Sequence, residues 1–504
     1  MTKHNVPKLN NPIEKHFDVI TRYHYFMFFI LFTSLLPIFW HVLSLIFISP
    51  PMDYYCNGKD FSNSTKNKCP CDKPVWDRTV FKQTMQTKFE ILCKSKWLIS
   101  FSQISEYVGM LLGALILGFL SDKYGRLPMY SLSCLILATF GCLVSAMPSA
   151  PSFILMRCIE GVGAGGAIVT CYVLCIEYCG VREREIITAL FHLPINLSHV
   201  TLPGVSYLLR NCDELQIALS IPVFLFVASE WLVMESPKWL MDNGHIDEVV
   251  DVVNKFGRFN GRSYENIREE IESYLSSHKD ESRKKVQFWQ IFKHKKLSFN
   301  LGCMSVIYFL CGLGYYGVSQ YIGQMSGNIH INVALSGILL LPGTITSVFL
   351  LKLLPRRLFL MGTTFFSGLF MISVICIPVH LQLFRVIIAS ICNCFFFMSF
   401  INVFLYSVEL FPTSVRNSVL GFLSVVSRIG QITAPPVNAL SETISGVIYG
   451  VMAIVGTLLC YVLPETKNVE LPSTFEESDF FSHKKEHSEG NIVNTVRINT
   501  QENV

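Results

Sequence analysis

One arginine, Arg428, interrupts an apolar stretch that otherwise has the composition of a membrane-spanning helix. The stretch follows a short charged turn that ends at Arg416. At about 1.5 Å per helical residue, Arg428 would lie about 17 Å from this turn, near the middle of a bilayer. A cation at that depth costs about 2.5–3.5 kcal/mol and usually faces a protein interior or a water-filled cavity. We therefore expect Arg428 to bind the charged group of a solute.

The residues around Arg428 suit the wall of a cavity. Ser424 and Gln431 lie four and three positions from it, so the three side chains would share one face of a helix. A guanidinium can bind a carboxylate through two parallel hydrogen bonds, which are stronger in a low dielectric. The alternative is that Arg428 pairs internally, for example with Glu106 or Glu160.

The composition places these residues in a membrane protein. Of the 504 residues, 51% are hydrophobic and 15% are charged, which is too apolar for a soluble enzyme of this length. The formal net charge is only +4, and no basic cluster indicates a nucleic-acid partner. No nucleotide-binding loop, metal-ligand cluster or nucleophile–base pair stands out, so we expect no enzyme activity, cofactor or metal ion. The expected partners are the lipid bilayer and a small organic ion, and the oligomeric state stays open.

Apolar segments predict an all-α membrane protein with twelve transmembrane helices in two pseudo-symmetric six-helix bundles. The bundles would occupy residues 23–234 and 297–463, with a charged cytoplasmic connector at 235–296. The N-terminus, residues 1–22, is basic and has no cleavable signal pattern, so it is predicted to be cytoplasmic. Because the predicted number of spans is even, the tail at 464–504 is predicted to be cytoplasmic as well. The predicted spans are 25–48, 97–120, 127–147, 153–176, 186–209, 215–234, 297–322, 331–351, 358–378, 383–408, 417–438 and 444–463.

Four features recur with a displacement of about 230 residues, which indicates internal duplication. Each is a charged or basic element at the end of a span or within it, and chance does not readily place four of them in the same order. The pairs are the basic turns 121–126 and 352–357, Arg157 and Arg385, the charged elbows 177–182 and 409–416, and the acids Glu235 and Glu465.

A long polar loop, residues 49–96, follows the first span. It contains four cysteines and the glycosylation acceptor Asn63-Ser64-Thr65. If the N-terminus is cytoplasmic, this loop is extracellular, where disulfides persist and glycans attach. Zinc binding is the alternative, although the loop contains no histidine. Three disulfide pairings stay open for the four residues Cys56, Cys69, Cys71 and Cys93.

The order of several motifs resembles the organic cation/anion/carnitine transporter family of the major facilitator superfamily. The resemblance covers about residues 20–475 and includes the large cysteine-bearing loop, which sugar porters lack. The motifs are Cys93-Lys-Ser-Lys-Trp97, Glu235-Ser-Pro-Lys-Trp-Leu240, the segment from Tyr406 to Asn417, and Leu463-Pro-Glu-Thr-Lys-Asn468.

This resemblance implies a carrier that works by alternating access, in which two six-helix halves rock about a central site. It implies an arginine at the Arg428 position in anion and carnitine carriers, and an aspartate there in cation carriers. It also implies aromatic substrate contacts at Tyr315, Tyr316, Phe400 and Phe404. The residues that would hold the cytoplasmic gate through salt bridges are Asp122, Arg126, Glu177, Arg182, Glu409 and Arg416.

Departures from the family pattern leave the cargo partly open. Leu340 replaces an acid found in cation carriers, and Thr344 lies where some anion carriers have lysine. Glu106 lies at a position that is usually apolar and could assist a proton, a cation or a zwitterion. We predict a plasma-membrane carrier of small organic ions, favouring anions by exchange or facilitated diffusion. The alternatives are a carnitine-like zwitterion or cation carrier that uses Glu106, and a receptor or scaffold that transports nothing.

Overall fold

A computed structural model describes residues 17–467, apart from residues 18, 57–66, 68, 70, 72–73, 181–182, 263, 265, 278–287 and 413–414. Asn63 and Arg182, two of the predicted functional residues, lie outside the described part. The predicted N-terminus up to residue 16 and the tail beyond residue 467 also lie outside it.

Twelve long helices form the described structure, and the predicted fold class is confirmed. Eleven apolar spans are long and hydrophobic enough to cross a membrane; the twelfth helix, which contains Arg428, is more polar than the others. The helices are α1 (Arg22–Ile48), α2 (Trp97–Tyr124), α3 (Arg126–Ser145), α4 (Ala150–Glu177), α5 (Leu193–Leu208), α6 (Cys212–Val227), α7 (Lys295–Gln324), α8 (Ile329–Leu353), α9 (Arg356–Cys376), α10 (Gln382–Leu410), α11 (Arg416–Asn438) and α12 (Glu442–Val462).

The fifth predicted span, 186–209, is not one continuous helix. A short helix, Arg184–Leu190, ends before Phe191, and α5 begins at Leu193 with Pro194 in its first turn. Proline has no backbone N–H to donate, so it fits the first turn of a helix but interrupts its interior. The other observed helices begin and end within a few residues of the predicted spans, apart from α6, which ends at Val227 and is followed by the short helix Ser229–Leu232.

Glycines bring α2 and α4 into backbone contact in the N-terminal bundle. A Cβ atom added at Gly161 would lie 2.3 Å from the backbone oxygen of Glu106, and one at Gly165 would lie 2.1 Å from that of Met110. Small residues allow such close approach between membrane helices, where packing replaces hydrophobic association. This contact holds α2 directly against α4 at the position of Glu106.

The two halves of the molecule meet through a small number of helices. In the contacts of the described residues, α5 packs against α8, and α2 packs against α11. Near the end of α7, Gly323 lies against Ile46 of α1. The contact surface between the halves is therefore formed by helices from both.

The cysteine-bearing loop forms a small folded unit at one end of the bundles. Its strands β1 (Tyr54–Cys56) and β2 (Pro74–Trp76) pair antiparallel, with Tyr54 opposite Trp76. Two short helices follow, Met85–Lys88 and the 3₁₀ helix Cys93–Ser95. The predicted cysteines form disulfides that pair Cys56 with Cys71 and Cys69 with Cys93.

Polar contacts attach this unit to the N-terminal bundle. Lys88 Nζ lies 2.7 Å from Asp213 Oδ1 at the start of α6, and it also donates to the carbonyl of Ser145 at 2.7 Å. Gln83 forms a β-bridge with Asn211. We call this end of the molecule the disulfide side and the opposite end the connector side.

The connector contains the short helices Ser229–Leu232, Pro237–Asp242, Ile246–Phe259 and Ile267–Ser277, and the 3₁₀ helix Phe288–Lys293. Ile246–Phe259 has an apolar face that packs on the bundle. Its Phe256 ring lies 4.2 Å from the ring of Phe17 and 5.7 Å from that of Tyr23 on α1. The connector therefore lies against the N-terminal half.

Replacing Gly161 by alanine is expected to destabilise the protein, because the new methyl group would collide with the α2 backbone. Overpacking of this kind costs about 1–3 kcal/mol. The matched control is Gly302→Ala on α7, where an added Cβ meets no other described atom within 4 Å. The measurement is size-exclusion chromatography of the heated protein in detergent. The temperature at which half of the monodisperse peak is lost should fall only for Gly161→Ala. Equal midpoints for the two variants would contradict the close α2–α4 contact.

Candidate functional site

Arg428 is positioned by a close contact between α7 and α11. A Cβ added at Gly312 would lie 2.2 Å from the backbone oxygen of Ser427, and one at Gly430 would lie 2.3 Å from that of Phe309. These two contacts flank Arg428 along α11, twelve residues from the start of that helix. The guanidinium is therefore carried by a helix whose position against α7 is tightly constrained.

The Arg428 side chain is only partly buried, and it has no acidic partner among the described residues. It interacts electrostatically with Tyr316 of α7. Both acids considered as internal partners, Glu106 and Glu160, pair instead with Arg157. In the described structure, the internal-pairing alternative for Arg428 is not realised.

The predicted aromatic residues lie together, and one of them, Tyr316, interacts electrostatically with Arg428. The rings of Tyr315 and Tyr316 are 4.9 Å apart, and Phe400 of α10 lies 6.0 Å from Tyr315 and 6.5 Å from Tyr316. Phe404 continues the row, 5.4 Å from Phe400, and it contacts Tyr308 at the same distance. Edge-to-face arrangements of this kind supply apolar area without requiring one ligand shape.

Rings from the N-terminal half complete the aromatic cluster. Tyr107 of α2 lies 6.0 Å from Tyr316, and His192 lies 6.0 Å from Phe400. His192 also lies 5.9 Å from Phe397, which the sequence analysis did not select. Tyr107 was missed as well, because its only sequence signal is that it follows the unusual Glu106.

Polar groups without partners lie on the same helices. Gln431 is buried and its Oε1 has no hydrogen-bond partner among the described residues; the same holds for the hydroxyl of Tyr315. Ser424 is half-buried on the same helix as Arg428. Because buried polar atoms are normally hydrogen-bonded, these two orphan groups are candidates for contact with a polar solute.

Glu106 lies in a different environment from the other predicted binding residues. It is fully buried, and its Oε2 accepts a hydrogen bond from Arg157 of α4. No ion pair or hydrogen bond joins Glu106 to Arg428 within the described residues. The structure therefore separates Glu106 from the cluster of Arg428, Tyr315, Tyr316 and Phe400.

An ion-pair cluster lies at the connector side of the N-terminal half. Arg126 Nη2 lies 3.0 Å from Glu177 Oε1, and its Nη1 contacts Asp122. Glu235 accepts from the backbone N–H of Leu127 at 3.1 Å, and burial raises the pKa of this carboxyl while its backbone hydrogen bonds lower it. Gly125 is needed at this turn, since its φ is 111°.

The C-terminal half repeats this arrangement, with Arg356 in the place that Arg126 takes in the N-terminal half. Glu409 pairs with Arg356, whose Nη2 lies 3.0 Å from Glu409 Oε1, and Glu465 accepts from the Arg356 backbone N–H at 2.8 Å. Arg416 does not pair with Glu409 in the described structure; its Nε donates to the carbonyl of Phe411 at 3.3 Å. Arg356 is the partner that the elbow motif failed to identify, because it lies 53 residues away.

Four side-chain hydrogen bonds join the two halves within the described residues. His199 Nε2 lies 2.8 Å from Ser319 Oγ, and Gln320 Nε2 lies 2.9 Å from the Tyr107 hydroxyl. The other two bonds join Asn196 to Thr344 and Ser206 to His330. Three of the four involve the disulfide-side parts of α7 and α8, at Ser319, Gln320 and His330, whereas Thr344 lies on the connector-side half of α8. The side-chain bonds between the halves are therefore concentrated toward the disulfide side.

Comparison with known proteins identifies relatives of this arrangement. A family model described as sugar (and other) transporter matches residues 54–477. Organic anion transporter 3 of Homo sapiens is 28% identical over 446 residues, covering 87% of this chain and 81% of the relative. The organic cation transporter protein of Drosophila melanogaster is 28% identical over 439 residues, covering 85% of this chain and 80% of the relative.

A solved structure shows the same fold. The xylose transporter of E. coli, in a partially occluded inward-open conformation, superposes with a TM-score of 0.65 at 16% identity. The match covers 89% of this chain and 100% of that one. At this identity the likeness establishes the fold alone.

Removing the charge of Glu177 is expected to destabilise the protein more than removing that of Asp122, although both bind Arg126. The Glu177 side chain is 12% exposed, whereas that of Asp122 is 69% exposed. Glu177→Gln should cost about 1–3 kcal/mol, because it weakens a buried charged hydrogen bond. Asp122→Asn should cost less than about 1 kcal/mol, as exposed pairs do. Thermal midpoints in detergent test the order, and a larger loss for Asp122→Asn would contradict it.

Proposed function

This chain belongs to the sugar (and other) transporter family, in the organic cation/anion/carnitine branch of the major facilitator superfamily, and we propose that it carries small organic anions by exchange or facilitated diffusion. One observation carries the proposal: Arg428 lies at mid-depth, partly open and without an acidic partner among the described residues. An unneutralised guanidinium in that position attracts an anion from solution more strongly than it would in bulk water.

The groups around Arg428 support an aromatic or amphipathic anion as cargo. The guanidinium would bind the carboxylate or sulfonate group, and the rings of Tyr315, Tyr316, Phe400 and Phe404 would contact the apolar body. Ser424 and Gln431 would hydrogen-bond polar substituents, since the Gln431 Oε1 has no partner among the described residues. A wall made mostly of rings tolerates several shapes, so we expect broad specificity.

Alternating access would move the solute between the two sides. The cross-half hydrogen bonds are concentrated toward the disulfide side, which supports a conformation whose cavity opens to the connector side. In the opposite conformation, the charged groups of the connector side would close the cavity. We assign this gate role to Asp122, Arg126, Glu177, Arg182, Glu409 and Arg416, and we add Arg356, the partner of Glu409.

The disulfide side would face the cell exterior in the plasma membrane. Disulfides persist in an oxidising compartment, and the loop that carries them also contains the acceptor Asn63. The connector and both termini would then be cytoplasmic. Protease protection of an epitope at each terminus in intact cells tests this orientation.

The alternative functions require different residues at the site or a different outcome of binding. A zwitterion or cation carrier would need an acid open to the cavity, but Glu106 is fully buried against Arg157. A receptor with the transporter fold would bind solutes without net movement across the membrane. A panel of labelled benzenesulfonate, carnitine and tetraethylammonium in proteoliposomes distinguishes the three, because it measures flux as well as charge preference.

Arg428→Asp is expected to abolish uptake of benzenesulfonate, because it replaces the attracting charge by a repelling one. Arg428→Lys keeps the charge but loses the paired hydrogen bonds of the guanidinium, so its affinity should fall about tenfold, equivalent to about 1.4 kcal/mol. The measurement is initial uptake in cells, normalised to the amount of protein at the surface.

Arg258→Asp is the matched control, since this arginine is exposed on the connector and undergoes the same reversal of charge. It should retain the uptake of the unmodified protein. Undiminished uptake by Arg428→Asp at normal surface expression would remove Arg428 from the substrate site.

Phe400→Leu is expected to weaken binding of aromatic anions selectively. The loss of aromatic contact should raise the KM for benzenesulfonate about two- to tenfold, corresponding to about 0.5–1.5 kcal/mol. The KM for methanesulfonate, which has no ring, should stay the same. Phe365→Leu is the control, because that ring is 48% exposed on α9. Equal changes in KM for both sulfonates would contradict a stacking role for Phe400.

A further inference from the structure

Four titratable side chains meet inside the N-terminal bundle, apart from the substrate site proposed above. Arg157 and Glu160 come from α4, Glu106 from α2 and His41 from α1, and all four are fully buried. Arg157 pairs with both carboxylates, at 3.2 Å to Glu160 and in a closer contact with Glu106. We call these four residues the buried ion cluster.

The two carboxylates of the buried ion cluster differ in their hydrogen bonds. Glu160 Oε1 lies 2.6 Å from His41 Nδ1 and accepts from Gln216 Nε2 at 2.8 Å. Both Glu160 oxygens also lie 3.2 Å from Arg157 Nη1. Glu106 binds Arg157 through Oε2, and its Oε1 has no hydrogen-bond partner among the described residues. An ionised Glu106 would therefore keep a bare charged oxygen in the bundle interior, which is costly.

The charges of the cluster do not balance when His41 is neutral. One guanidinium then faces two carboxylates, which leaves one excess negative charge. His41 faces Glu160 through Nδ1, and its Nε2 has no hydrogen-bond partner among the described residues. A proton on Glu106 neutralises the cluster and removes the bare charge.

We propose that Glu106 is a proton-binding site, loaded from one side of the membrane and emptied to the other in each transport cycle. The inference rests on the proposed anion transport and refines its mode, because a proton that accompanies the anion bound by Arg428 makes the carrier a symporter. One proton and one monovalent anion would cross together, so net movement is electroneutral. The proton comes from water and returns to water, and the Glu106 carboxylate is regenerated after each cycle.

The α2 helix connects this proton site to the substrate site. Tyr107 follows Glu106 directly; its hydroxyl accepts from Gln320 of α7 at 2.9 Å, and its ring lies 6.0 Å from Tyr316. On the opposite face, Gly161 of α4 lies in backbone contact with Glu106. Rocking of the halves therefore changes the contacts of Tyr107, the residue next to Glu106, together with those of the substrate rings.

The other groups that face the cluster do not compete for this proton. From the surrounding helices, α3 contributes the Cys142 thiol near Glu160 and α2 contributes the Tyr107 phenol. Thiols and phenols are uncharged at neutral pH. Among the described residues, α1 adds the Ser44 hydroxyl beside Arg157, and α6 adds the Gln216 amide. Glu106 is thus the group whose charge the cycle would change.

Proteoliposomes that contain the full-length chain test the coupling. Labelled benzenesulfonate is the probe, because it stays anionic and does not cross the bilayer as a neutral acid. With the medium one pH unit more acidic than the lumen, the unmodified protein should accumulate the probe about tenfold, since a tenfold proton gradient supports an equal gradient of a coupled anion. Glu106→Gln, which cannot release a proton, should show no accumulation. Glu106→Asp, which retains a carboxyl group, should restore part of it.

Two controls keep the result interpretable. Glu272→Gln removes an exposed carboxylate on the connector and should accumulate the probe like the unmodified protein. A pH-sensitive dye trapped with the unmodified protein should report acidification of the lumen when benzenesulfonate enters down its own gradient. This second measurement does not depend on whether a Glu106 variant folds.

The outcomes separate the two proposals. Uptake by the unmodified protein that ignores the pH gradient and moves no protons overturns the proton site and leaves anion transport intact. Accumulation by Glu106→Gln equal to that of the unmodified protein overturns the assignment to Glu106. Failure of the unmodified protein to take up any anion overturns the proposed function, and the proton inference with it.

Discussion

A guanidinium in the interior of a membrane protein needs either an anionic partner or access to water, and Arg157 and Arg428 differ in the partners that the structure gives them. Arg157 is fully buried and lies against two carboxylates in the N-terminal bundle. Arg428 is only partly buried and has no acid beside it among the described residues. In the first arrangement the guanidinium is paired within a packed helix bundle, and in the second its charge is available to a solute. The proposed anion site at Arg428 and the proposed proton site beside Arg157 both depend on this difference.

The two halves resemble each other more closely at their connector-side helix ends than in their interiors. At the connector side, Arg126 with Glu177 corresponds to Arg356 with Glu409, and in each half a further acid binds the backbone at the start of the next helix. In the interior, Arg385 corresponds to Arg157 by position, yet it pairs with a partly exposed Glu442 near the disulfide side. Duplication thus preserved the charged turns that fix the helix ends, whereas the bundle interiors diverged.

The site is formed where the halves meet, so its geometry depends on their relative position. Tyr107 and His192 come from one half, and Tyr316 and Phe400 come from the other. Rocking of the halves would separate these rings and change access to Arg428 in the same movement. Tyr107, which follows Glu106 on α2 and contacts α7, would link that movement to the buried ion cluster. Solute binding and proton binding would then both depend on the relative position of the two halves.

The sequence by itself determined the number of helices, their approximate ends, the duplication and the isolation of one intramembrane arginine. These features are local, because hydrophobic length, turn residues and the three-residue spacing of Arg157 and Glu160 are read within one segment. Only the tertiary structure decided which groups are partners. It paired Glu409 with Arg356, chose one disulfide connectivity, and buried Glu106 beside Arg157. Each of these contacts except the disulfides joins different helices, and the spacing of residues along a chain does not specify how such elements pack.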